Sequence, residues 1–338
     1  MERMDILDNH VQEFLIHLRI ERNYSAETEM SYRIALRIFL RFLTQKNLHI
    51  TDKSCVAEFI LHLKERGNSD ITIAHRLTVL KSFFNYLVNK GIVPGRTLPK
   101  IEKYKTTRKI IAIPSEEEVN LFIQSIEDEY RQVKQIADAS TNPNERLKAK
   151  IHSLFRNLTF FTLITATGLR ISEALKIKES DMNWTEFSIK ILGKGSKERL
   201  IYFGINRLKD LLDELLKMKQ QLGIEGPYLF VSYQHQAPLT PRYVQKVMKE
   251  FLEKTSSSSY TPHSLRHYYA TSSIEKGANV KAVAVLLGHA NVATTLEMYW
   301  HISTKYLKQV FEMFNPFSNI TLPVQQIIEN RYEVLVNL

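Results

Sequence analysis

The sequence predicts a mainly α-helical protein in two parts, the second carrying one small β-hairpin. Three observations lead there. Apolar residues recur at helical spacing through most of the first 93 residues and again after residue 115. Strand signals are confined to FSIKIL and RLIYF, which flank the glycine-framed GKGSKE, with Tyr228 to Val231 as a further short candidate. Between the two helical parts, PGRTLPKIEKYKTTRKIIAIP at 94–114 keeps neither periodicity and reads as a linker.

Composition sets the class. A length of 338 residues suggests about two domains, and 44% hydrophobic residues suffice for proper cores. A net charge of +10 favours a polyanionic partner, although anionic membranes also attract such a chain. No apolar run is long enough to span a bilayer and no secretory signal opens the sequence, so no membrane role and a cytoplasmic location are expected. The single cysteine, Cys55, rules out an intrachain disulfide and a cysteine zinc cluster, and it falls on the apolar side of a helix as a buried thiol.

In the first part, residues 1–93, Ser25 is placed to cap a helix with Met30, Ile34, Ile38 and Phe42 on its apolar stripe. Val56, Phe59, Ile60 and Leu63 mark the next helix. Ser69 starts another with Ile73, Leu77, Leu80, Phe84 and Leu87, stopped near Gly91 and Pro94. These stripes are core, and nothing in them suggests a cofactor. Arg22, Arg33, Arg37, Arg76 and Lys81 fall on polar faces. In the linker, Lys100, Lys103, Lys105, Arg108 and Lys109 form the densest basic run of the chain. An ordinary charged linker accounts for them equally well unless DNA-binding domains lie on both sides, in which case they follow a phosphate backbone.

In the second part, 115–314, Ser115 and Glu118 form a capping-box pattern ahead of Val119, Phe122 and Ile123. Residues 127–150 are strongly charged around ASTNPNER and read as a helix end, a polar loop and a helix start, with no function assigned. From about 151 to 167 a nearly all-round apolar helix is expected to be buried. It ends at Gly168, just before Arg170. The hairpin presents Lys194 at its tip, with Lys197 and Arg199 close by. Helices follow at about 206–222 and 241–254; Thr240, Arg242, Tyr243, Gln245 and Lys246 open the second, whose start suits phosphates or a groove. A serine run at 256–259 connects onward. Residues 303–314 form one more amphipathic helix, and the tail 315–338 is left open.

The chemistry gathers in residues 261–301. His263 and Arg266, three apart at the start of a helix headed by Pro262, face the same way. His289 follows Gly288 at the end of VKAVAVLL, and Tyr299 lies near the end of the next helical stretch. Each residue alone is more economically a helix-end histidine or a core tyrosine. Together with Arg170 and Lys194 they read as a phosphodiester site: arginine grips two phosphate oxygens, histidine moves protons near neutral pH, and tyrosine can be a covalent nucleophile.

In order, ATGLR, GKGSKER, TPHSLRH, LLGH and the tyrosine of YWH resemble the catalytic domain of the tyrosine recombinases, or phage-type integrases, most closely the Xer-like branch. The resemblance covers roughly residues 115–312, and the N-terminal part is similar to that family's helical core-binding (SAM-like) domain. It implies a mixed α/β catalytic domain in which Arg170 and Arg266 balance charge on the phosphate, His289 donates a hydrogen bond, and Tyr299 attacks phosphorus. Lys194 would protonate the leaving 5′-oxygen, and His263 would assist proton transfer. It further implies no cofactor or metal, double-stranded DNA as partner through Lys197, Arg199, Arg242 and the linker lysines, and a homotetramer on two DNA sites in which the terminal helix docks on a neighbouring subunit. One departure stands out. Ten positions separate His289 from Tyr299; Xer-type chromosome-dimer recombinases usually have one residue fewer, and this spacing is closer to that of phage and conjugative-transposon integrases. A topoisomerase-like relaxing enzyme and a non-catalytic DNA-binding protein are the alternative readings. DNA target, accessory factors and biological role stay open.

Overall fold

The computed structural model describes residues 2–106, 112–140, 142–193, 198–255 and 260–288. The chain divides into two compact units, Met1–Ile110 and Ile111–Leu338. Each is mainly helical.

The first unit packs four helices: α1 Glu2–Ile20, α2 Ala26–Lys46, α3 Cys55–Glu65 and α4 Asp70–Asn89. Ser25 and Ser69 cap α2 and α4 by accepting the backbone N–H of Thr28 and Thr72, which satisfies donors that a helix start leaves unpaired. Phe14, Phe39, Phe42, Phe59 and Phe83 are almost fully buried at the centre. Burying such a side chain contributes roughly 1.5–3 kcal/mol, so these rings dominate the stability of this unit. Cys55 lies among them as a free thiol, its pKa pushed up to about 12, mainly by burial.

The α2 stripe differs from the sequence expectation. Met30 and Ile34 are about half exposed, and the buried face is Ala35, Leu36, Phe39, Leu40, Phe42 and Leu43. Apolar residues occur on both sides of this helix, so spacing alone does not choose the buried one. Part of the stretch read as linker lies on this unit: a 3₁₀ turn spans Gly95–Thr97, Ile101 is buried in the core, and the Tyr104 hydroxyl donates to Asp70 at 3.0 Å.

The second unit begins with α5 Glu116–Asp138, whose Ser115–Glu118 capping box is formed on both sides. α6 Glu145–Thr167 is buried along most of its length and packs against α5 and against two later helices, α8 Asn206–Gln221 and α10 Pro262–Glu275. A short α7, Ile171–Ala174, follows α6. β1 Met182–Asn183, β2 Ser188–Leu192 and β3 Glu198–Tyr202 form an antiparallel sheet in that order, with Ile189 opposite Ile201 and Leu192 opposite Glu198. β4 Val231–Ser232 and β5 Ala237–Pro238 make a second small ribbon, ahead of α9 Pro241–Lys254. α11 Val280–Leu287 packs on α10. Among the described residues no helix is long and apolar enough to cross a membrane.

Candidate active site

The site is built where α6, α7, β3, α10 and α11 meet. Gly168 ends α6 in the left-handed conformation, at φ 64°. An added Cβ there would stand 2.5 Å from the Tyr269 ring and 2.6 Å from Leu287, so backbone conformation and close packing both demand glycine. The sharp exit lets Arg170 follow two residues later as the N-cap of α7. Its Nη1 donates to Glu173 Oε1 at 2.9 Å, and its backbone N–H donates to Oε2 at 3.0 Å. The side chain remains 38% exposed, so it can still meet a ligand.

Arg266 stands one turn into α10, behind a start organised by Pro262 and a Thr261–Ser264 capping box. It is only 1% exposed. Nη1 donates to the Gly168 carbonyl at 2.6 Å and Nη2 to the Leu287 carbonyl at 2.7 Å. One guanidinium therefore ties the end of α6 to the end of α11. Burial, then the charge of Arg170, lowers its pKa to about 9, which leaves it protonated at neutral pH. His263 lies on the first turn, open to solvent on one side. Desolvation first, then Arg266 and Arg170, hold its pKa below the ordinary histidine value. At neutral pH it is thus an acceptor of protons rather than a fixed cation.

Two further residues of this cluster are not singled out by the sequence. Glu173 is buried and receives both Arg170 and Arg199. Burial alone would raise its carboxyl, but hydrogen bonds from Arg199 and the Arg170 backbone, with the charges of both arginines, hold it below the ordinary carboxylate range. Its spacing of three from Arg170 is the one signal that could have found it. His267 stacks edge-on against His263 with ring centroids 4.9 Å apart, and burial lowers its pKa to about 4.

Arg199 corrects an expectation. It was expected to touch the DNA backbone, but its side chain is 10% exposed and is directed inward to Glu173 and the Leu286 carbonyl. Arg242 is exposed at the start of α9, whose N-cap Thr240 accepts from Tyr243 N–H. The next side chain, Tyr243, is held at its hydroxyl by the buried Arg156, which also donates to the Val231 carbonyl. Lys100, Lys103 and Lys105 are exposed in the first unit, Lys100 beside Glu102. The structure thus brings Arg170, His263 and Arg266 together. Lys194, Lys197, His289, Tyr299, Arg108 and Lys109 lie outside the described residues, as do the serine run, helix 303–314 and the tail.

The class is set by a four-helix unit followed by a helical unit that carries an antiparallel strand pair and two converging arginines, a site suited to an anionic ligand. Residues 128–305 match the Phage integrase family, and residues 11–91 match the Phage integrase N-terminal SAM-like domain. The tyrosine recombinase XerC of Vibrio cholerae (strain M66-2) is 30% identical over 320 residues, covering 92% of this chain and 94% of that protein. The tyrosine recombinase XerC of Bacillus pumilus (strain SAFR-032) is 29% identical over 312 residues, covering 90% and 95%. A crystal structure of the XerH site-specific recombinase bound to a palindromic difH substrate shares the fold, with a TM-score of 0.63 at 22% identity, covering 87% of this chain and 81% of that one. The chain belongs to the phage integrase family, the tyrosine-type site-specific DNA recombinases, with Xer-type relatives. This supports recombination over DNA relaxation as its activity.

Proposed function

We propose that the chain cleaves and rejoins double-stranded DNA at a specific site through a 3′-phosphotyrosine intermediate. The observation that carries this reading is Arg266. A buried guanidinium fixed on two backbone carbonyls, beside the partly exposed Arg170, is preorganised positive charge at the edge of a site that a phosphate can reach.

The step balances as follows. The Tyr299 oxygen bonds to phosphorus while the P–O5′ bond breaks. The tyrosine proton passes toward His263, whose depressed pKa keeps it neutral and ready to accept. Lys194 gives a proton to the leaving 5′-oxygen. Arg170 and Arg266, with a hydrogen bond from His289, offset the charge that builds on the non-bridging oxygens. The phosphotyrosine conserves the bond energy, so the 5′-hydroxyl of a second strand can reseal it without ATP. Exchange between two duplexes needs four cleaving subunits, and a cyclic homotetramer with the segment after Tyr299 docked on the neighbour fits that requirement.

The test uses nicked duplexes drawn from the DNA on either side of the gene, chosen as those the protein binds in gel-shift titration. Cleavage releases the short strand and traps protein on DNA. Tyr306, seven positions after Tyr299, is the nearby competitor; wild type should trap, Tyr299→Phe should bind without trapping, and Tyr306→Phe should trap as wild type does. Trapping by Tyr299→Phe but not by Tyr306→Phe would reassign the nucleophile. A two-site substrate then reports strand exchange.

A further inference from the structure

Glu173 is a shared carboxylate. Arg170 approaches it with Nη1 at 2.9 Å and its backbone N–H at 3.0 Å, while Arg199 reaches it with Nη1 at 3.1 Å and Nη2 at 2.8 Å. Arg199 is the second residue of β3, and its third guanidinium nitrogen, Nε, donates to the Leu286 carbonyl in the last turn of α11 at 2.9 Å. The same guanidinium lies against Gly288: a Cβ added there would stand 2.8 Å from Nη1, 2.9 Å from Cζ and 3.0 Å from Nε. One side chain thus joins β3, α7 and the end of α11.

We propose that Arg199 is a positioning residue for strand cleavage, fixing the Arg170 guanidinium through the shared Glu173 carboxylate. The charge count gives the reason. One carboxylate between two guanidiniums leaves a net positive charge for the phosphate. Without Arg199, Arg170 and Glu173 form a neutral pair, and Arg170 is drawn toward its carboxylate instead of the substrate. Lysine cannot replace this arrangement, because a point cation cannot span both carboxylate oxygens and the Leu286 carbonyl. The proposal rests on the reading of Arg170 as a cation that offsets transition-state charge.

The experiment compares single-turnover cleavage by the full chain on two nicked duplexes of the sequence that the wild-type protein cleaves. One carries the ordinary phosphodiester at the scissile position, the other a methylphosphonate, which lacks the negative charge that an arginine offsets. Misplacing a catalytic group by about 1 Å can cost about a hundredfold. Arg199→Gln should therefore cleave the phosphodiester at least about tenfold more slowly than wild type, with the deficit shrinking to about threefold or less on the methylphosphonate. Arg170→Ala should show the same pattern, and Arg199→Lys should fall between Arg199→Gln and wild type. The comparison is a ratio on one preparation, so the fraction of folded protein cancels. Equal deficits of Arg199→Gln on both substrates, with Arg170→Ala selectively rescued, would reduce Arg199 to a structural role and overturn the proposal alone. No selective rescue of Arg170→Ala would overturn the reading of Arg170, and the proposal with it.

Discussion

Arg266 Nη1 donates to the carbonyl of Gly168 at 2.6 Å, across 98 positions of sequence. The glycine that ends α6 therefore does two things: it turns the chain toward Arg170 and offers its carbonyl to the second arginine. Gly168→Ala tests that dual role. A residue with a Cβ at φ 64° is strained by roughly 1–2 kcal/mol, and the new methyl must displace the Tyr269 ring or Leu287, adding about 1–3 kcal/mol. Denaturant unfolding should show a loss of about 2–5 kcal/mol. A loss below about 1 kcal/mol would mean that the junction relaxes freely.

The arginines should differ in what they disturb. Arg170→Ala removes a partly exposed cation, so cleavage should slow by about 3 kcal/mol in barrier, as for loss of an oxyanion donor, with little effect on unfolding. Arg266→Ala should slow cleavage at least as much and also lower stability, because the Gly168 and Leu287 carbonyls lose a buried donor. Equal thermal stability of the two variants would contradict this assignment.

Lys194→Ala should be slow on an ordinary duplex and recover on one with a 5′-bridging sulfur, since a thiolate leaves without a proton. The absence of recovery would point to Lys197 or to another acid.

How much of this was legible in the sequence follows from interaction range. His263 and Arg266 share one helical turn, and Gly168 and Gly288 mark helix ends, so local spacing exposed them. Ser115 and Glu118 were likewise readable as a cap. The Arg199–Glu173 pair spans 26 positions and two elements, and no local pattern distinguishes an inward arginine on a strand from an outward one. α2 failed for a different reason: Met30 and Ile34 continue an apolar spacing on a face that remains exposed. Buried polar residues in the apolar α6, His152 and Arg156, were likewise hidden by the hydrophobic residues around them.

His152 supplies an acid-sensitivity prediction. It is fully buried, neither ring nitrogen has a partner among the described residues, and its pKa is lowered to about 3 by burial, then by Arg156 and Lys219. Its folded pKa is below its unfolded value, so the unfolded chain binds the proton first. The stability this neutral ring contributes is complete above about pH 6.5 and is lost as pH falls toward about 3. His267, lowered to about 4, acts in the same direction. His152→Met keeps the bulk and removes the titration. Its unfolding free energy should decline less between pH 7 and pH 5 than that of wild type, by on the order of 1 kcal/mol. Parallel pH profiles for the two proteins would exclude His152 as a source of acid lability.

The basic residues should separate into two kinds of DNA contact. Lys103 and Lys105 are exposed side chains in a stretch without regular secondary structure, suited to phosphates that carry no sequence information. Each phosphate contact contributes about 0.9 to the slope of log K against log salt. Lys103→Ala and Lys105→Ala should each flatten that slope by about 1 and weaken specific and random duplexes alike. Arg242 is presented differently. It stands on the first turn of α9, and the next residue, Tyr243, is pinned through its hydroxyl by Arg156 at 2.6 Å. That contact fixes the first turn of α9, and an exposed arginine carried on a fixed helix start suits a bidentate contact to a base edge better than a lysine in a loop does. Arg242→Ala should thus cost about 1–3 kcal/mol on the specific duplex, little on random DNA, and change the salt slope less than the lysine variants do. Gel-shift titrations at several salt concentrations on both duplexes measure all of these quantities. Equal weakening of specific and random DNA by Arg242→Ala would place Arg242 on the phosphate backbone with the lysines.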